Sequence, residues 1–256
     1  MEKLTKPERR QVAPLFSGWE ETMIWSCLQG YMGTAWCDRR GTPQSAQIIT
    51  GDFCFFAGIP NLDLVRNIPA DFPAKTILMV PPSFGWATMI EQVYRQRHTA
   101  FYRYAFAKDP SVFNHKNLRR LAASLPPGFE RKTIDETLFH QVKQQEWSQD
   151  LCSQFPTYST YQAHGIGIVA LQNGVIASGA SSYTYYDGGI EIQIDTHPQY
   201  RRMGLAQACA SQLILDCLER SVYPSWDAAN RASCLLAQKL GYRLQKRYLV
   251  YSVTLP

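Results

Sequence analysis

No two of the seven cysteines, at positions 27, 37, 54, 152, 209, 217 and 234, form a CxxC pair, and an odd number leaves at least one unpaired within a monomer. Mostly buried thiols in a reduced, cytoplasmic compartment are therefore expected. The histidines, His98, His115, His140, His164 and His197, are scattered and give neither an HExxH motif nor a compact ligand pattern, so no metal site is expected. No uncharged apolar run reaches the length of about 18 residues that a membrane-spanning helix needs. The polar opening MEKLTKPERRQ has no apolar core behind it for a signal peptide. A GxxxxGK loop followed by Ser or Thr is also missing, which removes a Walker-type phosphate site. Charge of one sign is in small excess: 26 Lys and Arg against 21 Asp and Glu leave +5. That is too little to imply nucleic acid and suits an anionic ligand equally well. The basic stretch between Gln92 and Lys132, with only Asp109 and Glu130 against it, has no arginine–aromatic platform. It reads as a solvated surface, and no nucleic-acid or membrane partner is expected.

What is present is enough apolar residue, 45% of 256, for one large core or two modest ones. In the first half the pattern predicts a helix within 19–36, strands over 51–59, 75–82 and 99–106, and a helix over 86–98. The helical pattern of 118–125 is interrupted by SLPPGFE, 124–130, whose two prolines and glycine mark a domain boundary. The division expected is a mixed α/β domain over 1–125 and a second domain over 126–256. After a helix at 135–152 and a loop around FPTYSTY, two turn signals, Asn173-Gly174 and Asp187-Gly188-Gly189, separate three strand-like runs. They predict an antiparallel meander at about 165–171, 175–186 and 189–195. From Met203 the apolar period becomes helical; a short strand at 222–227, a helix over 230–240 ended by Gly241, and a long last strand follow. No internal repeat is evident.

The segment THPQYRRMGLAQACASQLIL, 196–215, places Arg201, Arg202, Met203, Gly204, Leu205 and Ala206 where a strand delivers the chain to a helix. Amide hydrogens of a first helical turn have no internal partners, so Arg202 to Ala206 can aim several donors at one anion. Gly204 removes a side chain where a phosphate approaches, Ala206 is nearly as small, and Arg201 adds a charge-assisted contact at the mouth. A surface helix with a basic entrance is the plainer alternative. RRMGLA, 201–206, is similar to the central motif of the GCN5-related N-acetyltransferase (GNAT) superfamily, Gln or Arg, then two residues, Gly, one residue, and Gly or Ala. The downstream NRASCLLAQKLGYR, 230–243, resembles the second signature helix of that family, beginning in Asn and ending in a Gly-aromatic pair. The resemblance covers roughly 129–256 and looks most like the zwittermicin-resistance-type branch. It implies a mixed, mostly antiparallel twisted sheet flanked by helices, an α/β (α+β) fold. It implies too that residues 201–206 hold the pyrophosphate of acetyl-coenzyme A, and that backbone groups around Ile194 to Thr196 pair with the pantetheine arm. Residues 1–125 match no common motif and are either a degenerate half of the same kind or a separate domain.

The chemistry implied is acetyl transfer to a primary amine of a small molecule or an exposed amino group, by a monomer or homodimer. Glu191, within GGIEIQID, faces either solvent or a cleft; in a cleft it is the candidate base that takes the amine's proton. Strand alternation puts Gln193 and Asp195 on its side, and Asp195 is the lesser candidate because a turn role near the helix is also open to it. Trp226 and Asp227 form an acid beside an aromatic wall that suits a cationic substrate, although Asp227 could equally cap the next helix. Asn230 and Ser233, one turn apart, stand where relatives contact pantetheine, although Asn230 could be only a cap. Relatives carry a tyrosine where this chain has Ala237, and that residue commonly protonates the leaving thiolate; Tyr242, Tyr248 and Ser233 are unranked substitutes. Cys234 has no histidine partner to make it a nucleophile. A non-catalytic acyl-coenzyme A-binding or interaction module is the alternative function.

Overall fold

The computed structural model describes residues 1–255; Pro256 lies outside them. Contacts divide the chain into two units, Met1–Arg103 together with the chain from Arg247 on, and Tyr104–Lys246. The Pro-Pro-Gly stretch read as a boundary lies inside the second unit. Leu125 and Phe129, on either side of it, pack against that unit's core and hold the stretch there.

The first unit contains β1 (Glu2–Leu4), α1 (Thr22–Leu28), β2 (Thr34–Cys37), β3 (Ser45–Thr50), β4 (Phe53–Gly58), α2 (Leu62–Arg66), β5 (Thr76–Val80) and α3 (Phe84–Tyr94). The helix expected within 19–36 is only seven residues long. Gly30 and Gly33 take φ of 85° and 71°, which a helix does not tolerate, and the chain re-enters as β2. Strands β2 and β3 were not anticipated: β3, SAQIIT, is buried at every position and carries no alternation to read. Strand β6 (His98–Phe106) begins in this unit and runs into the second. The chain's last strand, β13 (Leu244–Thr254), is inserted between β5 and β6, giving the order β1-β2-β3-β4-β5-β13-β6. Its core is built on Cys54, Phe56, Leu64, Ile77, Met79, Trp86, Ile90 and Tyr251.

The second unit continues with α4 (His115–Ala122), β7 (Glu130–Thr133), α5 (Glu136–Lys143), α6 (Tyr158–His164), β8 (Gly167–Gln172), β9 (Val175–Tyr186), β10 (Gly189–Thr196), α7 (Leu205–Glu219), β11 (Tyr223–Ser225), β12 (Asp227–Ala228) and α8 (Arg231–Leu240). Its sheet order is β11-β10-β9-β8-β7. The meander β8-β9-β10 is the expected one, and Asn173 and Gly174 take φ of 51° and 80°, the left-handed pair a two-residue hairpin requires. Helix α7 buries Leu205, Cys209, Leu213, Ile214 and Cys217 against Ile190 and Ile192 of β10. The helix expected over 135–152 ends at Lys143 and is followed by a single 3-10 turn, Gln149–Leu151. The loop around FPTYSTY contains α6, started by the Thr157 side chain accepting from the Thr160 amide.

The two units repeat one topology, which no sequence period announced. In each, a short strand pairs antiparallel with the first strand of a three-stranded antiparallel meander. A helix follows, then a strand parallel to the third meander strand, β5 on β4 and β11 on β10. A second helix and another strand complete the order. Among the described residues no helix is long and apolar enough to cross a membrane.

The repeats differ where the parallel strands part. In the first unit β5 pairs only with Phe53, Cys54 and Phe55 of β4. Beyond that, Trp86 stacks on Phe56 with ring centroids 4.7 Å apart and donates its indole N–H to the carbonyl of Gly58 at 3.0 Å. Trp86 is thus a wedge held by one ring face and by its indole edge, and it is fully buried. Trp86→Ala should lower the unfolding free energy of the full chain by about 3–5 kcal/mol, the usual cost of emptying a large aromatic site. Denaturant unfolding checks this, and a loss below about 1 kcal/mol would contradict the wedge.

Candidate active site

Strand β11 pairs with β10 only at Gly189↔Tyr223, Ile190↔Pro224 and Glu191↔Ser225. Past Ser225 the chain turns away: Asp227 and Ala228 form β12 and pair with Ala105 and Tyr104 of β6. Among the described residues no strand lies on the outer edge of β10 from Ile192 to Thr196. Backbone donors and acceptors of an open edge seek a partner, so this edge can receive an extended ligand that pairs as a strand does. Ile194 and Thr196, predicted for that role, lie on it and are half-buried. The Thr196 hydroxyl bonds the Ser178 hydroxyl at 2.7 Å on the β9 side, which anchors the strand's end.

The edge leads to the start of α7. Gly204 is its N-cap with φ 85°, Arg202 also lies in the left-handed region at φ 65°, and no side chain caps the first turn. A Cβ added at Gly204 would meet no atom within 4 Å, so the space before the helix start is open. Uncapped amides facing open space form an anion cradle. Arg201, Arg202 and Met203 are exposed around it, Ala206 is half-buried, and Leu205 is buried in the core as an anchor. The Arg201 Nε reaches back to the Thr196 carbonyl at 3.4 Å. The equivalent helix of the first unit, α2, has five residues and no open cradle. There the Asn61 side chain itself accepts from the amides of Asp63 and Leu64, at 3.0 and 3.1 Å.

Glu191 is buried, which removes the solvent-facing alternative. The alternation of β10 puts Ile190, Ile192 and Ile194 on the core side and Glu191, Gln193 and Asp195 on the other. Glu191 lies across from Thr184 of β9 and Ser225 of β11, and Ser225 bonds the Tyr186 hydroxyl at 2.8 Å. Burial above all raises the phenols of Tyr186, Tyr223 and Tyr242, Tyr223 to about 12, and the negative charge of Glu191 adds to each. Asp195, which Gln193 bonds at 2.9 Å, is raised to about 6, chiefly by burial and with the charge of Asp150 acting in the same direction. His197 serves the turn: its Nδ1 accepts from the Gln199 amide at 3.3 Å and its ring meets Trp147 edge-on.

The remaining expectations separate. Trp226 is buried in the core, and its indole N–H donates to the Ser233 hydroxyl at 3.1 Å. Asn230 caps α8, its side chain accepting from the Ser233 amide at 3.0 Å, while Asp227 is half-buried in β12. Ala237 is fully buried. Tyr242 donates to the Pro224 carbonyl at 2.6 Å and burial pushes its phenol well up, which leaves it poorly suited to giving up a proton; Tyr248 belongs to the first unit. The Cys234 thiol is buried and its pKa raised by that burial, as for a structural cysteine. Among the described residues no His, Cys, Asp and Glu cluster could hold a metal ion. Sequence reasoning missed Thr184 and Ser225, which only strand register brings beside Glu191, and Asp150, which is far from any motif.

Comparison with known proteins agrees with this fold. The family model described as GNAT acetyltransferase matches residues 13–251, well beyond the second half in which motifs were legible. The crystal structure of a GCN5-related N-acetyltransferase-like protein from Streptococcus suis 89/1591 is 43% identical, covers 96% of this chain and 98% of its own, and superposes with a TM-score of 0.91. The uncharacterized N-acetyltransferase YdfB of Bacillus subtilis (strain 168) is 26% identical over 268 residues, 98% of each chain. A tandem GNAT protein from the clavulanic acid biosynthesis pathway shares the fold over 98% of this chain and 97% of its own, with a TM-score of 0.55 at 12% identity.

Asp195 yields a stability prediction. Its folded pKa of about 6 lies above the ordinary value of 3.8, so the folded state holds this proton more tightly than the unfolded chain. The stabilising effect is present at low pH and is lost as pH rises through about 4 to 6. Above that window the half-buried carboxylate costs about 1–2 kcal/mol. Asp195→Asn should therefore melt a few degrees above the wild type at pH 7.5, with the gap closing toward pH 4. Melting curves at both pH values check this, and a pH-independent difference would contradict it.

Proposed function

The chain belongs to the GNAT acetyltransferase family, and from that premise we propose that it acetylates a primary amine of a small molecule or an exposed amino group, using acetyl-coenzyme A in a ternary complex. The observation that carries this reading is one continuous track: a buried carboxylate, a bare strand edge and an uncapped helix start follow each other along residues 191–206. The residues present fit the cofactor, since Gly204 leaves open space before free amides and β10 has an unpaired edge of five residues, Ile192 to Thr196. In this reading Arg201, Arg202, Met203, Gly204, Leu205 and Ala206 hold the pyrophosphate, and Ile194 and Thr196 hold the pantetheine arm. Asn230 and Ser233 border that arm. When bound, acetyl-coenzyme A supplies the activated acyl group.

Glu191 is the general base. An amine is an ammonium ion near neutral pH and attacks only after losing a proton, and a buried carboxylate on the cleft side of β10 is placed to take it. Asp195, already half-protonated near pH 6, is the second candidate on the same face. Trp226 acts from beneath, fixing Ser233, and Asp227 is left as the acidic contact for a cationic acceptor. The zwittermicin-resistance-type branch is the finer placement, supported by DTHPQYRRMGLA and the 223–242 segment, YPSWDAANRASCLLAQKLGY. Seven buried, free cysteines support a reduced, cytoplasmic setting. The repeated topology supports a first unit that is a degenerate copy of the second. A non-catalytic acyl-coenzyme A-binding module is the alternative, favoured by Ala237, which offers no hydroxyl at that position of α8.

Glu191→Gln separates these readings. Thiol release measured against a panel of amines, over a pH series, should show kcat lower by on the order of 10² to 10⁴ with coenzyme A affinity nearly unchanged, the deficit shrinking as pH rises. A raised KM at constant kcat would make Glu191 a substrate contact. Identical rates and profiles would remove it as the base, and cofactor binding without transfer to any amine would favour the non-catalytic module.

A further inference from the structure

Strand β11 is only three residues long, and Pro224 at its centre has no N–H to give to a ladder. Three tyrosine hydroxyls hold it instead. The Tyr223 hydroxyl accepts from the Asp109 amide at 3.2 Å and donates to the Ala107 carbonyl at 3.1 Å, and Tyr242 donates to the Pro224 carbonyl at 2.6 Å. The third is Tyr186, whose hydroxyl bonds that of Ser225 at 2.8 Å. To reach it from β9 the phenol crosses over Gly189, its paired residue on β10, where any Cβ would collide with the ring. Ser225, the last residue of β11, is thus buried and fixed from β9 across the intervening strand. Its place gives this fixing a use. β11 runs along the edge of β10 as far as Glu191. The stretch Ile192 to Thr196, along which no strand lies among the described residues, continues the same row towards the cradle at Gly204. A ligand that pairs with this stretch lies end to end with β11, and its end farther from the cradle meets Ser225.

We propose that Ser225, held by Tyr186, is an end stop that sets the length of acyl group the site accepts, admitting acetyl and excluding longer chains such as butyryl. The proposal rests on the reading of the β10 edge and the α7 cradle as the acyl-coenzyme A track. Ser225 touches the acyl end of the donor and determines specificity, and Tyr186 is a positioning residue that acts through it. Each added methylene must either displace a strand end tied down by hydrogen bonds or push the donor back along β10, which draws its phosphates off the α7 amides. Neither shift is compensated, so discrimination per methylene should be on the order of tenfold or more.

Calorimetric titration with coenzyme A, acetyl-coenzyme A and butyryl-coenzyme A tests this without any acceptor. The wild type should bind the first two within about threefold of each other and butyryl-coenzyme A weaker by on the order of tenfold or more. Ser225→Gly should bring butyryl-coenzyme A to within about threefold of acetyl-coenzyme A. Tyr186→Phe, which keeps the ring and releases the stop, should narrow the gap part of the way. Coenzyme A itself should bind both variants within about twofold of the wild type, since it has no acyl group to reach Ser225. In thiol release with the best acceptor of the amine panel, the butyryl-to-acetyl ratio of kcat/KM should rise about tenfold in Ser225→Gly. Should the glycine variant fold poorly, Ser225→Ala takes its place in every comparison. Equal binding of the two acyl donors by the wild type, or a gap left unchanged by Ser225→Gly while coenzyme A still binds, would overturn the end stop alone. Equal weakening of all three ligands in the variant would also overturn it, as the mark of a merely structural residue. A gap unchanged in Tyr186→Phe would remove Tyr186 from the stop. Failure of the wild type to bind coenzyme A at all would overturn the track and the stop together.

Discussion

Everything in the second unit depends on two parallel strands that stop pairing after three residues. A strand edge exposes a row of amides and carbonyls that must be matched by another strand, by water or by a ligand. Here the chain withdraws β11 after Ser225 and commits the next residues to β12, so that among the described residues no strand follows β11 along Ile192 to Thr196, which pair only with β9 on their other side. The bulge at Tyr183 falls at the same point and shifts the register so that Glu191 faces Thr184 while the isoleucines keep the core side. The opening, the carboxylate and the run toward the helix start are therefore consequences of one local break in pairing.

The first unit shows what the same topology looks like with the break filled. Its β4 and β5 also part after three pairs, but Trp86 stacks on Phe56 and ties itself to the Gly58 carbonyl. Its short α2 has first-turn amides taken by Asn61, whereas α7 opens with Gly204 and leaves them uncapped. One copy thus uses the break as core and the other keeps it as a cleft. The difference lies in a few side chains, not in strand order.

How much of this could be read from the sequence follows from how local each feature is. RRMGLA was legible because a left-handed glycine and small residues at a helix start act within one turn, and Asn173-Gly174 was legible because a hairpin needs two left-handed residues in succession. The burial of Glu191 was half-legible: alternation gave its face, but only the sheet shows that the face is enclosed. Thr184, Ser225 and Asp150 were invisible, since register and a distant turn bring them to β10 and no spacing encodes either. In the first unit β3 is buried throughout and carries no period, so the meander, and with it the repeat, stayed hidden until pairing was known. The segment at 124–130 misled because its prolines and glycine interrupt a helix without leaving the core that Leu125 and Phe129 share.

The central claim is that one of the two related clefts is open to a cofactor and the other is closed by its own side chains. Calorimetric titration of the full chain with coenzyme A tests it most directly, performed on the wild type and on Gly204→Val. The account predicts one equivalent bound per chain and loss of that binding in the variant, because a side chain at φ 85° would both strain the cap and fill the space before the amides of α7. Two equivalents in the wild type, or undiminished affinity in the Gly204→Val chain, would contradict it.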